Sequence, residues 1–218
     1  IKRMIEAGDL GKIYHIYCSF RAHRSIPGMG GWFTDKAQSG GGVLIDWGVH
    51  FLDLIFYCIN PDNIIAVSSN TYSELAKEPK EYIFEDMWAG PPNYEGIYDV
   101  EEFVTGLIRT SGPTINFNGA WAQNIDEPAM FIEFMGDKGG IKLEYGGDFI
   151  YYTAKNGILF KTKPTFSSKD MFYEEIDSFL KSSLANHKDR SNVDNTLITA
   201  KAMDGIYESA KLGKEVVY

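Results

Sequence analysis

Cysteine is scarce in this 218-residue chain: Cys18 and Cys58 are the only two, each inside an apolar stretch. A disulfide-stapled secreted scaffold is thereby excluded, and two reduced thiols packed in a core point to the cytoplasm. No run of Lys or Arg occurs, and 30 acidic against 21 basic side chains leave a formal charge of −9. Such a chain repels a phosphate backbone, so nucleic acid is not an expected partner. Gly, Asp or His interrupts each apolar run before the roughly 18 residues that a membrane span requires. A membrane is not an expected partner either.

Single-motif enzyme signatures are missing as well. HExxH, CxxC and GxSxG do not occur, and neither Gly11-Lys12 nor Gly213-Lys214 is followed by Ser or Thr as a phosphate loop needs. GMGGWF, residues 28–33, lacks the last glycine of a dinucleotide fingerprint, and no strand leads into it. The chain starts at Ile1 with IKRMIEAG, the end of a helix, which is the expectation for a piece of something longer.

What is present is globular. With 44% hydrophobic and 14% aromatic residues, a chain of this length can bury about 70% of its unfolded surface. Residues 1–7 read as a last helical turn stopped by Gly8, and KIYHIYCSF reads as a strand. Residues 21–42 hold six glycines and no period, so a long loop is expected. A buried helix over 43–60 ends at Asn60-Pro61, a strand covers 64–72, and 73–98 is irregular and aromatic. Apolar residues then alternate at period 2 from 100 to 162 between turns such as SGP, GDKGG, GGD and KNG. Helices at 171–184 and 195–212 and a short strand, EVVY, close the chain. Strands in a block imply an α+β fold: an open, predominantly antiparallel sheet, built as a meander, with helices packed on one face.

The informative segment is GGGVLIDWGVHFLDLIFYCI, residues 40–59. At about 100° per residue, Asp46, His50, Asp53 and Tyr57 share one stripe of an otherwise apolar helix. A buried charge needs a partner, so this stripe must face a cleft, water or another group. Asp46 and His50 lie ~6 Å apart along the axis, close enough for the carboxylate to orient an imidazole acting as general acid or base. Gly40, Gly41 and Gly42 stand at the helix start, where free N–H groups favour an anion. On spacing alone the Asp–His pair reads as a structural contact sooner than as a catalytic dyad, and a metal reading of Asp46, His50 and Asp53 lacks a further N/S ligand. Among the other candidates, His15 reads as a core or edge histidine and His187 as solvated. His23 and Arg24 are placed for an anion, and Trp32 and Trp121 could stack on a sugar, although aromatic residues in a loop and on a strand are more often plain packing. Glu101, Glu102 and Arg109 read as a solvated or paired sheet face. The aromatic stretch 82–98 suits either a cleft or an interface.

KRMIEAGDLGKIYHI, SGGGVLIDWGVHFLDL with Trp32 ahead of it, VEEFVTGLIRT, AMFIEFMGDKGGIKLE and SAKLGKEVVY together resemble the second domain of the glucose-fructose oxidoreductase / inositol dehydrogenase / MocA family. The resemblance implies a fold like the C-terminal domain of glyceraldehyde-3-phosphate dehydrogenase, with residues 1–218 as one substrate-binding, catalytic and oligomerisation domain. A preceding Rossmann domain would hold NAD or NADP and is absent from this chain, which alone would be inactive. It further implies His50 as the proton acceptor, Asp46 as its orienting partner, and Gly40–Gly42 near the cofactor. Trp32, Arg24 and Trp121 would stand near a small substrate, a sugar, inositol or related polyol. A homodimer or homotetramer would form through the sheet face. The rival reading is a non-catalytic binding or assembly module that uses the same face.

Overall fold

A computed structural model describes residues 1–167, 170–188 and 192–218. Helix α1 (Lys2–Glu6) leads into strand β1 (Ile13–Arg21). The glycine-rich segment after it is not fully irregular: it holds a tight turn at Trp32–Thr34 and the short helix α2 (Lys36–Ser39), capped by Asp35. A widened helical turn at Leu44–Gly48 then runs directly into α3 (Val49–Ile59). Strands β2 (Ile64–Tyr72), β3 (Phe103–Thr110), β4 (Thr114–Ala120), β5 (Ala129–Gly136), β6 (Gly139–Glu144), β7 (Phe149–Lys155) and β8 (Ile158–Thr162) follow. Helices α4 (Met171–Leu184) and α5 (Val193–Leu212) and strand β9 (Val216–Val217) complete the order.

These strands form one nine-stranded sheet in the order β8-β7-β6-β5-β1-β4-β3-β2-β9. The expected α+β architecture is what the chain adopts, with one difference in topology. The meander is interrupted, because β1 inserts between β4 and β5 and runs parallel to β4, His15 through Arg21 pairing with Thr114 through Ala120. Local alternation sets each strand's faces but says nothing about a strand added from 100 residues upstream, so the insertion left no mark in the pattern.

The alternation then fixes what is covered. Ile16, Cys18 and Phe20 of β1, Ile115 and Phe117 of β4, and Ile132 and Phe134 of β5 are fully buried beneath the helices. On the other face the in-register row Leu107, Asn116, Tyr17, Glu133 and Lys142 stays half-exposed. α3 packs its Phe51, Leu52, Ile55 and Phe56 side into the core and stops at Asn60, whose backbone is left-handed (φ 41°) ahead of Pro61. Phe51 is stacked between Phe20 (5.0 Å) and Tyr145 (4.1 Å), which ties the helix to both halves of the sheet. By length and composition the stretch Lys36–Ile59 is apolar enough to cross a membrane, contrary to the sequence expectation, yet half of its most apolar 18-residue window is buried inside this fold. α5 lies against β2, with Ser69 Oγ donating to the Ile206 carbonyl and Ser209 Oγ accepting from the Ser69 N–H.

Candidate active site

The start of the α3 segment carries no Ser, Thr, Asp or Asn cap of its own, so its amides must be satisfied from elsewhere. Glu101 supplies the acceptor. One carboxylate oxygen takes the N–H groups of Gly42 (3.0 Å) and Leu44 (3.1 Å) and the hydroxyl of Tyr207 (2.8 Å) from α5. Burial and the adjacent carboxylate push the Tyr207 phenol well above its usual range, so it remains a donor. This corrects two expectations at once. Glu101 is buried instead of lying on a solvated face, and the Gly42 and Leu44 amides are already taken instead of waiting for an anion. The glycines have an internal reason too: a Cβ on Gly41 would strike the Tyr207 hydroxyl, and one on Gly42 the Glu101 carbonyl. Only Gly40, exposed and left-handed (φ 83°), has open space around its Cα.

Glu102 does the same for another loop. Its carboxylate accepts from the N–H groups of Glu74 (2.6 Å), Leu75 (2.5 Å) and Ala76 (3.3 Å) and from the Tyr98 hydroxyl (2.6 Å). Adjacent residues of an extended segment point to opposite sides, so one Glu-Glu pair anchors the helix tip and the aromatic 73–98 segment together. That segment packs on the glycine-rich one, with Ala89 and Asn93 N–H groups donating to the Pro27 and Met29 carbonyls and Trp88 against Phe33 at 5.0 Å.

The widened turn changes the expected stripe. The Val49 N–H reaches back five residues, to the Leu44 carbonyl, and such π turns recur at functional sites. Asp46 lies within this turn and is not among the residues lining the cleft that the other three share. Its carboxylate accepts from the indole N–H of Trp121 at 2.9 Å, while His50, Asp53 and Tyr57 stay on one side and line a cleft of about 880 Å³. Tyr145 and residues of α4 and α5, among them Thr199 and Met203, form its remaining walls. Burial raises the Asp46 carboxyl above its ordinary value, with the Trp121 N–H and the charge of nearby His50 pulling it back. His50 is exposed, and among the described residues no hydrogen bond joins it to Asp46; their coupling is electrostatic.

Trp121 is 0% exposed, so it has no face for a sugar and serves instead as the donor that fixes Asp46. Trp32 is 54% exposed and meets Phe33 edge-on at 5.1 Å. Arg24 is held by Asn124 (2.6 Å) and the Ile83 carbonyl (3.4 Å) on a separate cleft of about 550 Å³. Neither Trp32 nor Arg24 lines the His50 cleft. Asp53 accepts from the Thr199 hydroxyl at 2.8 Å, tying α3 to α5, and no metal-holding group of three His, Cys, Asp or Glu occurs among the described residues. The metal reading therefore loses its geometry. Trp121, Glu101 and Tyr207 were missed in these roles, although a helix start without its own cap was a sign that some acceptor had to arrive from elsewhere.

Residues 1–142 match the family model described as the GFO/IDH/MocA C-terminal domain. The chain belongs to this family. Over 135 residues it is 27% identical to a protein of Amycolatopsis mediterranei (strain S699) assigned as the oxidoreductase subunit of a UDP-kanosamine synthase, covering 60% of this chain and 36% of that protein. Over 219 residues it is 25% identical to D-glucoside 3-dehydrogenase of Escherichia coli (strain K12), covering 99% of this chain and 60% of that enzyme. Among solved structures, levoglucosan dehydrogenase in complex with NADH superposes with a TM-score of 0.79 at 17% identity, over 99% of this chain and 61% of that one. At that identity the likeness establishes the fold. The chain spans about 60% of the length of the Escherichia coli relative.

Proposed function

We propose that this chain is the catalytic and substrate-binding part of an NAD- or NADP-dependent oxidoreductase acting on a sugar, inositol or related polyol. One observation carries the reading. An exposed imidazole, His50, stands on an open cleft of about 880 Å³ with a carboxylate one turn away that is itself fixed by a buried indole. The cleft is large enough for a monosaccharide beside a nicotinamide ring. The donor set suits that end of the cofactor and not its phosphates, since the helix-tip amides are occupied by Glu101. The carbohydrate relatives and the NADH complex of levoglucosan dehydrogenase support the substrate and cofactor classes.

A bound nicotinamide supplies the hydride acceptor. His50 takes the proton of the substrate hydroxyl as the C–H pair leaves as hydride and the carbon becomes a carbonyl; the reverse step returns both. Asp46 steadies the imidazolium formed, and Trp121 keeps Asp46 aimed. Trp32, more than half exposed, is kept as a ring for stacking on a sugar, and Gly40 as the open backbone nearest the helix tip. The half-apolar uncovered sheet face, with Tyr17 packed on Phe131 at 5.7 Å, supports a homodimer or homotetramer, which light scattering tests. The buried free thiols, Cys18 and Cys58, support a cytoplasmic protein.

The decisive experiment uses the polypeptide extended to the upstream start of its reading frame, incubated with NAD⁺ or NADP⁺ and a panel of glucosides, inositols and polyols. Nicotinamide reduction with at least one carbohydrate, absent from the 218-residue chain alone, is expected. No dinucleotide binding by the extended protein would overturn the reading.

A further inference from the structure

Two phenol rings stand on the wall of the His50 cleft, Tyr57 and Tyr145, and they are not equivalent. Lys2 Nζ lies 4.2 Å over the Tyr57 ring and donates to the Tyr57 carbonyl at 2.6 Å, so a cation already covers a face of that ring. Tyr145 is stacked on Phe51, with ring centroids 4.1 Å apart and 24° between the planes. Phe51 is 2% exposed and belongs to the core, whereas Tyr145 is 41% exposed. A ring with one face pressed on a buried neighbour turns its other face outward, here into the cleft.

The phenol is also held in place. It sits in the turn between β6 and β7, where the Tyr145 N–H donates to the Met130 carbonyl of β5 at 3.0 Å and the Gly147 N–H to the Glu144 carbonyl at 2.9 Å. Gly146 between them is left-handed (φ 76°). Phe51 directly follows His50 on α3, so stacking on it sets the Tyr145 ring beside the imidazole. A platform fixed in advance loses little freedom when a ligand arrives. Trp121 offers no such face, being fully buried, and Trp32 stands off this cleft.

The face of an aromatic ring is the negative side of its quadrupole, and it attracts the weakly positive hydrogens of C–H bonds. A pyranose or inositol ring presents several axial C–H bonds on one side, all aimed the same way. An open-chain polyol has to freeze its backbone torsions to do so, which costs affinity.

We propose that Tyr145 is the stacking platform of the His50 cleft and makes it selective for cyclic carbohydrates, pyranosides and inositols, over open-chain polyols. The ring lies with its C–H face on the phenol and a hydroxyl-bearing edge toward His50. This rests on the reading above that the cleft takes a carbohydrate.

The test is binding of methyl β-D-glucopyranoside, myo-inositol and D-glucitol to the extended polypeptide by saturation-transfer NMR. NADH or NADPH is present, since an alcohol does not react with the reduced cofactor. The cyclic probes should bind about tenfold more tightly than D-glucitol, with saturation strongest at their axial ring protons. Tyr145→Leu should weaken the cyclic probes about tenfold and level the preference, whereas Tyr145→Phe should stay within about twofold of the wild type. The saturation pattern is read on the unmutated protein, so it decides the matter even where the Leu variant fails to fold. Equal affinity for cyclic and open-chain probes overturns the proposal, as does binding by none of them or saturation spread evenly over their protons. Equal losses in the two variants overturn it too, because they assign the hydroxyl and not the ring face. A lower affinity for the dinucleotide with carbohydrate binding intact gives the face to the nicotinamide and likewise overturns it. Dinucleotide binding is read in parallel: a dinucleotide-binding protein indifferent to Tyr145→Leu refutes the platform alone, and Tyr145-dependent carbohydrate binding without dinucleotide refutes the function alone.

Discussion

Trp121 and Asp46 form the fixed point of the site. The indole N–H, on a side chain with no solvent exposure, donates to the carboxylate at 2.9 Å from the end of β4. The bond joins the sheet to the helix that carries His50, across 75 residues of sequence. A hydrogen bond to a charged group contributes on the order of 1.5–3 kcal/mol, so its loss should be felt in stability and in turnover.

Trp121→Phe keeps most of the packing and deletes the donor. We expect a loss of about 1–3 kcal/mol in stability by urea unfolding, and in the extended enzyme a fall in kcat of roughly tenfold or more with KM little changed. Asp46 loses one of the two influences holding its pKa down, so the acid limb of the kcat profile should move to higher pH. An unmoved limb would detach Trp121 from the chemistry.

Asp46→Asn separates stability from activity. The folded chain holds the Asp46 proton above the ordinary carboxylate value of 3.8. It therefore binds more protons than the unfolded chain between that value and the raised one. This residue's contribution is complete below pH 3.8, declines as pH rises through the window, and is flat above it. The amide oxygen can still accept from Trp121, so the variant should be no less stable than the wild type at neutral pH, while turnover drops about a hundredfold. A lower Tm at neutral pH would mean that the ionised carboxylate stabilises the fold.

Glu101 is open to a paired test. Glu101→Gln leaves an oxygen for Gly42, Leu44 and Tyr207 and removes only the charge at the helix start, a change of on the order of 1 kcal/mol. Glu101→Ala orphans all three buried donors and should cost about 2–4 kcal/mol, with activity falling together with the ordered tip. Equal effects of the two substitutions would show that charge, not hydrogen bonding, holds the tip.

Two glycines of the triplet should behave differently. Gly40→Ala meets no atom and bears only the left-handed backbone (φ 83°), about 1 kcal/mol. Gly42→Ala drives a Cβ into the Glu101 carbonyl and should disrupt the tip outright, visible as loss of cooperative thermal unfolding. Similar Tm values for the two would contradict the close approach.

The class of fold was legible because alternation and glycine turns are local, and β3 through β8 fall almost where those signals put them. The place of β1 was not, because pairing His15–Arg21 with Thr114–Ala120 depends on a contact about 100 residues away. His50 could be singled out as a polar residue on an apolar helix. Its relation to Asp46 was only half visible, because the indole that holds Asp46 comes from 75 residues away and no residue type in LIDWG announces the widened turn at Leu44–Gly48. Glu101 and Glu102 looked like surface charges, since a carboxylate that caps another element differs from a solvated one only in what the fold brings to it. On α4 the apolar period of Phe172, Ile176, Phe179 and Leu180 is plain in the sequence, yet all four are exposed: periodicity reports that a face is apolar, not what it packs against.

The most direct test of the catalytic assignment is the turnover of His50→Ala in the extended protein, with a responsive sugar and its dinucleotide at saturation. The side chain is exposed, so the fold and Tm should hold while kcat falls by about 10²–10⁴-fold. Near-normal kcat in a folded variant would contradict the account and leave the cleft as a binding surface without acid–base chemistry at His50.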